Sequence, residues 1–179
     1  GVRASLVLTR SVPADAKALL PFHWPVVVMS QLFSSLGKIP FPVTTTLKAG
    51  SGAGVKVMIG TTREEMAAFF CSDQTIRNAD DAMTAGLFEA ALGKDYTPRL
   101  AEYRRMRAST ANVAILGDLM SDAMFRIGSL RMAEWRSGQG HPAYVYQFDW
   151  QSPAGFESCH CLEIPFVFNN LDQWTESPM

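Results

Sequence analysis

The chain has 179 residues, of which 47% are hydrophobic and 18% are charged. This composition fits a folded domain with a substantial core and excludes an intrinsically disordered chain. The formal net charge is −1 and the pI is about 6.3, with no basic stripe, so nucleic acid is not an expected partner. The apolar runs are far too short for a bilayer, so no membrane span is expected.

The chain carries three cysteines, Cys71, Cys159 and Cys161, which do not form the even-numbered pattern of a disulfide framework. Adjacent C-x-C pairs rarely meet the geometry of a disulfide bond. We therefore expect reduced thiols and a cytoplasmic location. No secretory signal is evident, although the start at Gly1 rather than Met leaves secretion open.

In chain order, the first 46 residues give the weakest pattern: Pro13 suits a helix start, and residues 38–46 (KIPFPVTTT) suggest an extended connection. A glycine-rich turn over 47–54 leads into VKVMIG at 55–60. This short, apolar and β-branched segment between glycines predicts a strand buried on both faces, as in a parallel sheet.

Helical patterns then follow for about 80 residues. TTREEMAAFF opens with Thr62 and, three positions on, Glu65, the spacing of a capping box. Apolar residues recur at helical spacing over 76–93, at Ala79, Met83, Leu87, Ala90 and Ala91. Pro98 opens a charged surface helix, and 110–138 forms a long helical region that Gly117 and Gly128 interrupt.

AYVYQFDW at 143–150 alternates aromatic residues with others and predicts a strand. Strands separated by helices indicate an α/β architecture.

The segment ESCHCLEIPFVF at 157–168 concentrates chemically active side chains around His160. A tetrahedral zinc site is disfavoured because consecutive residues on an extended segment point in opposite directions. A redox site is disfavoured because the spacing is not C-x-x-C. A structural histidine bonded to Glu163 or to a carbonyl stays open, as does a catalytic base.

A catalytic histidine needs a carboxylate that orients it. Glu65 lies just after the first strand, His160 lies in the loop after the second, and 95 residues separate them. In α/β-hydrolases the acid and the histidine occupy such loops, in this chain order. For Glu65 the alternative interpretation is the helix cap alone.

Four segments, VKVMIGTTREEMAAFF, DAMFRIGSLRMAE, VYQFDWQSP and CHCLEIPFVFNNLD, resemble in that order successive blocks of the type B carboxylesterase/lipase family. Gly60 to Glu65 matches the family's G-T-x-x-[DE]-E motif, and His160 to Phe168 matches H-x-x-E-[LI]-P-F-V-F. The resemblance covers about residues 47–172 and implies an α/β-hydrolase fold. It also implies that Glu65 is the triad acid and His160 the triad base, that a small-molecule carboxylic ester is the substrate, and that no metal or organic cofactor is needed.

The chain also departs from the family pattern. Met66 stands where a glycine usually follows the acid, and Cys161 stands where glycine or alanine is common. No G-x-S-x-G nucleophile elbow occurs, since the glycines near Ser51 have the wrong spacing. We therefore expect residues 1–179 to form one partial α/β-hydrolase domain, the C-terminal portion of a serine carboxylesterase whose serine lies outside the chain. The alternative is a non-catalytic, hydrolase-like binding module.

Other features stay open. Glu163 is expected to brace the histidine loop, and Phe125, Phe166 and Phe168 suggest at most an apolar cleft. The sequence identifies neither the ester nor the oligomeric state.

Overall fold

The structure is a computed structural model that describes residues 9–10, 49–50, 52–107 and 111–174. The helix start expected at Pro13 and the extended connection expected over 38–46 lie outside these residues. The chain divides into two compact units. Of the described residues, 61–122 and 148–174 belong to the first unit, and the remainder belong to the second.

Helices separate the second and third strands of the described chain, and a further helix follows the third strand, as expected for an α/β protein. The strands are β1 (Thr9–Arg10), β2 (Val57–Thr62) and β3 (Ala143–Phe148). The helices are α1 (Ala67–Phe70), α2 (Gln74–Arg77), α3 (Asp81–Leu92), α4 (Tyr96–Met106), α5 (Asn112–Ser121), α6 (Ile127–Gly138) and α7 (Ile164–Val167). A π-helical turn (Asp122–Arg126) joins α5 to α6, and a 3-10 turn (Leu171–Gln173) follows α7.

The three strands form one sheet in the order β1-β3-β2. β1 pairs antiparallel with β3, with Thr9 opposite Val145 and Arg10 opposite Tyr144. β2 therefore lies at an edge of the described sheet. The expectation that this segment is buried on both faces is wrong, because Val55 and Met58 are each 61% exposed. An apolar run indicates a strand, but its burial depends on which elements cover it.

In the second unit, the backbone of Gly60, the glycine of the family motif, lies close to a side chain of β3. A Cβ atom added to Gly60 would lie 2.5 Å from the Tyr146 ring of β3, closer than any real contact. The same unit buries Arg136 of α6, whose guanidinium donates to the carbonyl of Val55 at 2.5 Å. The turn before β2 is thereby tied to the end of α6.

The first unit is a helical layer organised around α5, which contacts each of α1 to α4. Its core consists mainly of buried apolar side chains from the helices and from the turn before α1: Met66, Phe70, Phe88, Ile115, Leu116 and Leu119. The Phe88 ring meets Tyr103 of α4 edge to face, with centroids 5.2 Å apart. Asp80 caps α3 by accepting the Met83 N–H at 2.8 Å, which explains why this helix begins there.

Two helix expectations need correction. α1 begins at Ala67, and Thr62 is the last residue of β2 rather than a helix cap. The break in 110–138 is the π-helical turn between Gly117 and Gly128, at neither glycine. By contrast, the charged helix expected from Pro98 is present as α4, and no residue of it is buried.

We predict that the core of the first unit depends on Phe88 and not on its neighbour Leu87, although the sequence pattern favoured Leu87. Phe88→Ala should lower the free energy of unfolding by about 3–5 kcal/mol, because it leaves a cavity under α4. Leu87→Ala, at a side chain 37% exposed, should cost less than about 1.5 kcal/mol. Urea denaturation followed by circular dichroism measures both, and equal losses would contradict this packing.

Candidate active site

The turn after β2 carries Glu65, a carboxylate that is 4% exposed. Its Oε1 atom accepts the backbone N–H of Thr62 at 2.7 Å. This is one half of the capping box that the sequence suggests, although here it closes a strand-to-helix turn. The other half is missing in the described structure, since the Thr62 hydroxyl is buried without a hydrogen-bond partner. The capping-box spacing thus correctly predicted that the Glu65 carboxylate closes a turn at Thr62, but Thr62 ends a strand and does not cap a helix.

The loop after β3 carries His160 and spans residues 149–163. A bridge between Ser152 and Glu157 folds its first part into a tight turn. The buried Ser158 hydroxyl then donates to the Phe148 carbonyl at 2.6 Å. Pro165, buried near the start of α7, ends the loop because its fixed φ suits the first turn of a helix.

These two segments bring Glu65 and His160 together. The Nδ1 atom of His160 lies 2.7 Å from Oε2 of Glu65, and the imidazole side chain is 37% exposed whereas the carboxylate is 5% exposed. A carboxylate only accepts hydrogen bonds, so the facing Nδ1 carries a proton. In the neutral ring this leaves the lone pair on Nε2. The Phe69 ring lies beside the imidazole, with centroids 5.8 Å apart.

Such a pair can hold and stabilise a general base. The buried acid fixes the tautomer and the orientation of the ring, and its charge stabilises the imidazolium that forms when Nε2 accepts a proton. Burial strengthens this effect because the surrounding dielectric is low.

Glu163, three residues after the histidine, makes no hydrogen bond to the imidazole in the described structure. Its Oε2 atom is buried without a partner. Burial raises the pKa of this carboxyl; the Glu65 charge raises it further, whereas His160 lowers it. The residue therefore adds a desolvated acid beside the pair instead of the expected hydrogen-bonded brace.

The neighbouring thiols do not favour redox or metal chemistry. All three cysteines are free, with Cys159 buried and Cys161 exposed. Desolvation raises the pKa of both the Cys159 and Cys161 thiols, and nearby carboxylates raise that of Cys161 further. The thiolate form that both chemistries need is thus disfavoured. Within the described residues, no three His, Cys, Asp or Glu side chains are grouped so that they could hold a metal ion.

The aromatic residues separate into two roles. Phe166 packs against Phe148 and Trp150, with centroids 5.1 and 5.2 Å apart, and supports the histidine loop from beneath. Phe168, in contrast, is 72% exposed. A cavity of about 680 Å³ lies in the first unit, but neither Glu65 nor His160 lines it. The reactive pair is therefore separate from this cavity.

Glu64 is a buried carboxylate that sequence reasoning missed. It is 6% exposed and contacts Arg107 and the backbone of Ser158. Both partners are far away along the chain, so no local spacing could have indicated them.

A strand followed by an acid turn, and a later strand followed by a histidine loop that reaches the acid, are the arrangement found in the α/β-hydrolase fold. A carboxylesterase of Geobacillus stearothermophilus has a similar structure, with a TM-score of 0.59 over 89% of this chain and 36% of that chain, at 24% sequence identity. This likeness confirms the expected fold class.

The sequence model of the carboxylesterase family matches residues 14–173, and the chain belongs to this family. It is 32% identical over 139 residues to the para-nitrobenzyl esterase of Bacillus subtilis, which covers 75% of this chain and 26% of that protein. It is also 30% identical over 129 residues to the phenmedipham hydrolase of Pseudarthrobacter oxydans, covering 69% and 25%. The resemblance drawn from motifs is thus confirmed, and the chain spans about a quarter of the length of these relatives.

We predict that Glu163 destabilises the fold when it is ionised. Its folded pKa is raised above the unfolded value, so the folded state resists deprotonation, and the cost is present above both pKa values. Glu163→Gln should therefore raise the free energy of unfolding at pH 7. The gain should disappear below the unfolded pKa, about 4.3, where the carboxyl is protonated in both states. Urea denaturation at pH 7 and pH 3.5 measures the difference, and a gain that is equal at both pH values would refute the assignment.

We further predict that Cys161 is strained. Its φ of 67° lies in the left-handed region, which costs a side-chain-bearing residue about 1–2 kcal/mol. Cys161→Gly should leave stability unchanged or raise it by up to about 1 kcal/mol, since the greater freedom of glycine in the unfolded chain offsets part of the relief. Cys71, also exposed but with φ of −56°, is the matched control. Cys71→Gly should lower stability by about 0.5–1 kcal/mol, and the same sign for both variants would contradict the strain.

Proposed function

We propose that this chain supplies the acid and the base of a Ser-His-Glu triad in a serine carboxylesterase, with the serine outside residues 1–179. The observation that carries the proposal is the 2.7 Å contact between His160 Nδ1 and the buried Glu65 carboxylate. Membership of the carboxylesterase family supports it. So do the ester-cleaving and other hydrolytic activities that the names of its relatives state.

The proposed reaction is acyl transfer to water in two steps. In the first, the serine oxygen attacks the ester carbonyl while Nε2 of His160 accepts the serine proton. The imidazolium, stabilised by Glu65, then gives that proton to the departing alcohol, which leaves an acyl-enzyme. In the second step, water loses a proton to His160 and attacks the acyl group, and the imidazolium then returns that proton to the serine oxygen as the carboxylic acid is released.

The substrate class is a carboxylic ester of small-molecule size. The apolar Phe69 ring beside the imidazole is 54% exposed and suits an apolar group near the reacting carbonyl. The acyl and alcohol pockets and the oxyanion hole would be formed largely by parts of the protein outside this chain.

Among the described residues, no helix combines the length and apolar character needed to cross a membrane.

We predict that the longer protein that carries the serine hydrolyses p-nitrophenyl acetate through this pair. His160→Ala should lower kcat by about 10⁴–10⁶, because triad members act as a unit. Glu65→Gln should lower it by about 10⁴, because the amide no longer enforces the tautomer. His141→Ala, at a histidine of the second unit, is the control and should leave kcat unchanged.

Turnover that survives His160→Ala would refute the assignment of the base. A folded longer protein that has no G-x-S-x-G segment and no esterase activity would instead support the non-catalytic binding module.

A further inference from the structure

The two consecutive acids after β2 use their carboxylates in different directions. Glu65 faces the imidazole, whereas Glu64 faces the backbone of the histidine loop and the partly buried guanidinium of Arg107. Both are almost fully buried, at 4% and 6% exposure. Burying a carboxylate costs free energy unless its oxygens have hydrogen-bond or ionic partners. The contacts of Glu64 therefore have to compensate for its lost hydration.

Both oxygens of Glu64 have partners. Oε1 accepts from Nη1 of Arg107 at 2.9 Å and lies 3.2 Å from Nε of Arg63. Oε2 accepts the backbone N–H of Ser158 at 3.1 Å. Arg107 also pairs with Asp118 at 3.1 Å, so one partly buried cation contacts two carboxylates.

Glu64 also bonds to Ser158 through its own backbone. Its N–H donates to the Ser158 carbonyl at 2.9 Å, while its side chain accepts the Ser158 N–H. These two bonds close a ring between the acid turn and the histidine loop. Ser158 is completely buried and lies two residues before His160, so the loop is fixed close to the imidazole.

The fixed position of Ser158 matters for the reactive pair because only a short segment of chain joins Ser158 to His160. Two residues of chain reach at most about 7 Å, so a fixed Ser158 confines the His160 Cα atom to a small region. Proton transfer requires the ring to be held within about 0.5 Å of its productive position. Glu65 orients the ring through Nδ1 but does not fix the backbone that carries it.

We propose that Glu64 is a positioning residue for the Glu65–His160 pair, acting through the Ser158 N–H to hold the histidine loop against the acid turn. Glu65 holds the imidazole ring and Glu64 holds its backbone. The inference rests on the proposed function, because it assigns Glu64 a part in the same reaction.

The test uses ¹⁵N-labelled chain and reads the histidine loop by NMR. In the wild type, the Nδ1 proton shared with Glu65 should give a downfield signal, assigned by its loss in His160→Ala. Glu64→Ala should abolish this signal and speed exchange of the Ser158 amide by about tenfold to a hundredfold, the effect of losing one charged hydrogen bond. Exchange of the Thr62 amide, which Glu65 holds, should change far less.

Asp118→Ala is the matched control, because it removes the other carboxylate partner of Arg107 and leaves the Glu64 side chain that accepts the Ser158 N–H. It should preserve the downfield signal and the slow Ser158 amide. Glu64→Gln keeps a carbonyl oxygen that can accept the Ser158 N–H, and it should restore the signal. If Glu64→Ala does not fold, Glu64→Asp is the test variant. Its carboxylate is one methylene too short to reach both Ser158 and Arg107, so it should lose the signal.

The proposal would be overturned if folded Glu64→Ala kept the downfield signal and the slow Ser158 exchange of the wild type. If Glu64→Ala does not fold, the same result in Glu64→Asp would overturn it. Equal losses in Glu64→Ala and Asp118→Ala would also overturn it, because they would reduce Glu64 to a general stabilising charge. The NMR signals do not depend on hydrolysis. Failure of the esterase assay would therefore refute the proposed function while leaving the hold of Glu64 on the loop measurable.

Discussion

The hydrogen bond between Glu65 and His160 joins two segments that lie 95 residues apart in the sequence. A carboxylate as buried as Glu65 would be strongly destabilising without donors. Its two donors come from its own turn, through the Thr62 N–H, and from the distant histidine. Each of the two loops therefore depends on the other, since removal of the imidazole would leave a buried carboxylate oxygen without this donor. Stability and the proposed chemistry rest on the same contact.

The helix-cap and catalytic interpretations of Glu65 turn out to be compatible, because a carboxylate has two oxygens. Oε1 closes the turn after β2 and Oε2 meets the imidazole. The turn bond restrains the side-chain rotamer of Glu65 locally, which reduces the conformational entropy that its contact with the histidine has to offset. A local folding signal and a long-range functional contact thus reside in one residue, and sequence spacing by itself cannot separate them.

The sequence predicted what is local or distinctive: the strands at β2 and β3, the helices between them and the identity of the two residues that meet. It failed where burial depends on distant elements. The apolar segment before Gly60 predicts a fully buried strand, yet Met58 is 61% exposed, so its side of β2 is open to solvent in the described structure. In α3 the helical pattern favoured Leu87, whereas the core takes Phe88, which Tyr103 of the next helix meets. Glu64 was missed for the same reason, since its partners are set by tertiary structure.

Two departures from the family pattern, at Met66 and Cys161, have physical explanations in the structure. Met66, where a glycine is usual, is 7% exposed and adds an apolar side chain to the core of the first unit. Cys161, where glycine or alanine is common, adopts φ of 67°, a conformation that glycine enters without cost. Flanking backbone bonds hold the strained residue in place, from the Leu162 N–H to the Cys159 carbonyl and from the Ile164 N–H to the Cys161 carbonyl, both 3.2 Å. Strain persists only where surrounding contacts over-determine the backbone. The bonds that fix Ser158 and begin α7 therefore let this loop present His160 to Glu65 despite an unfavourable residue beside it.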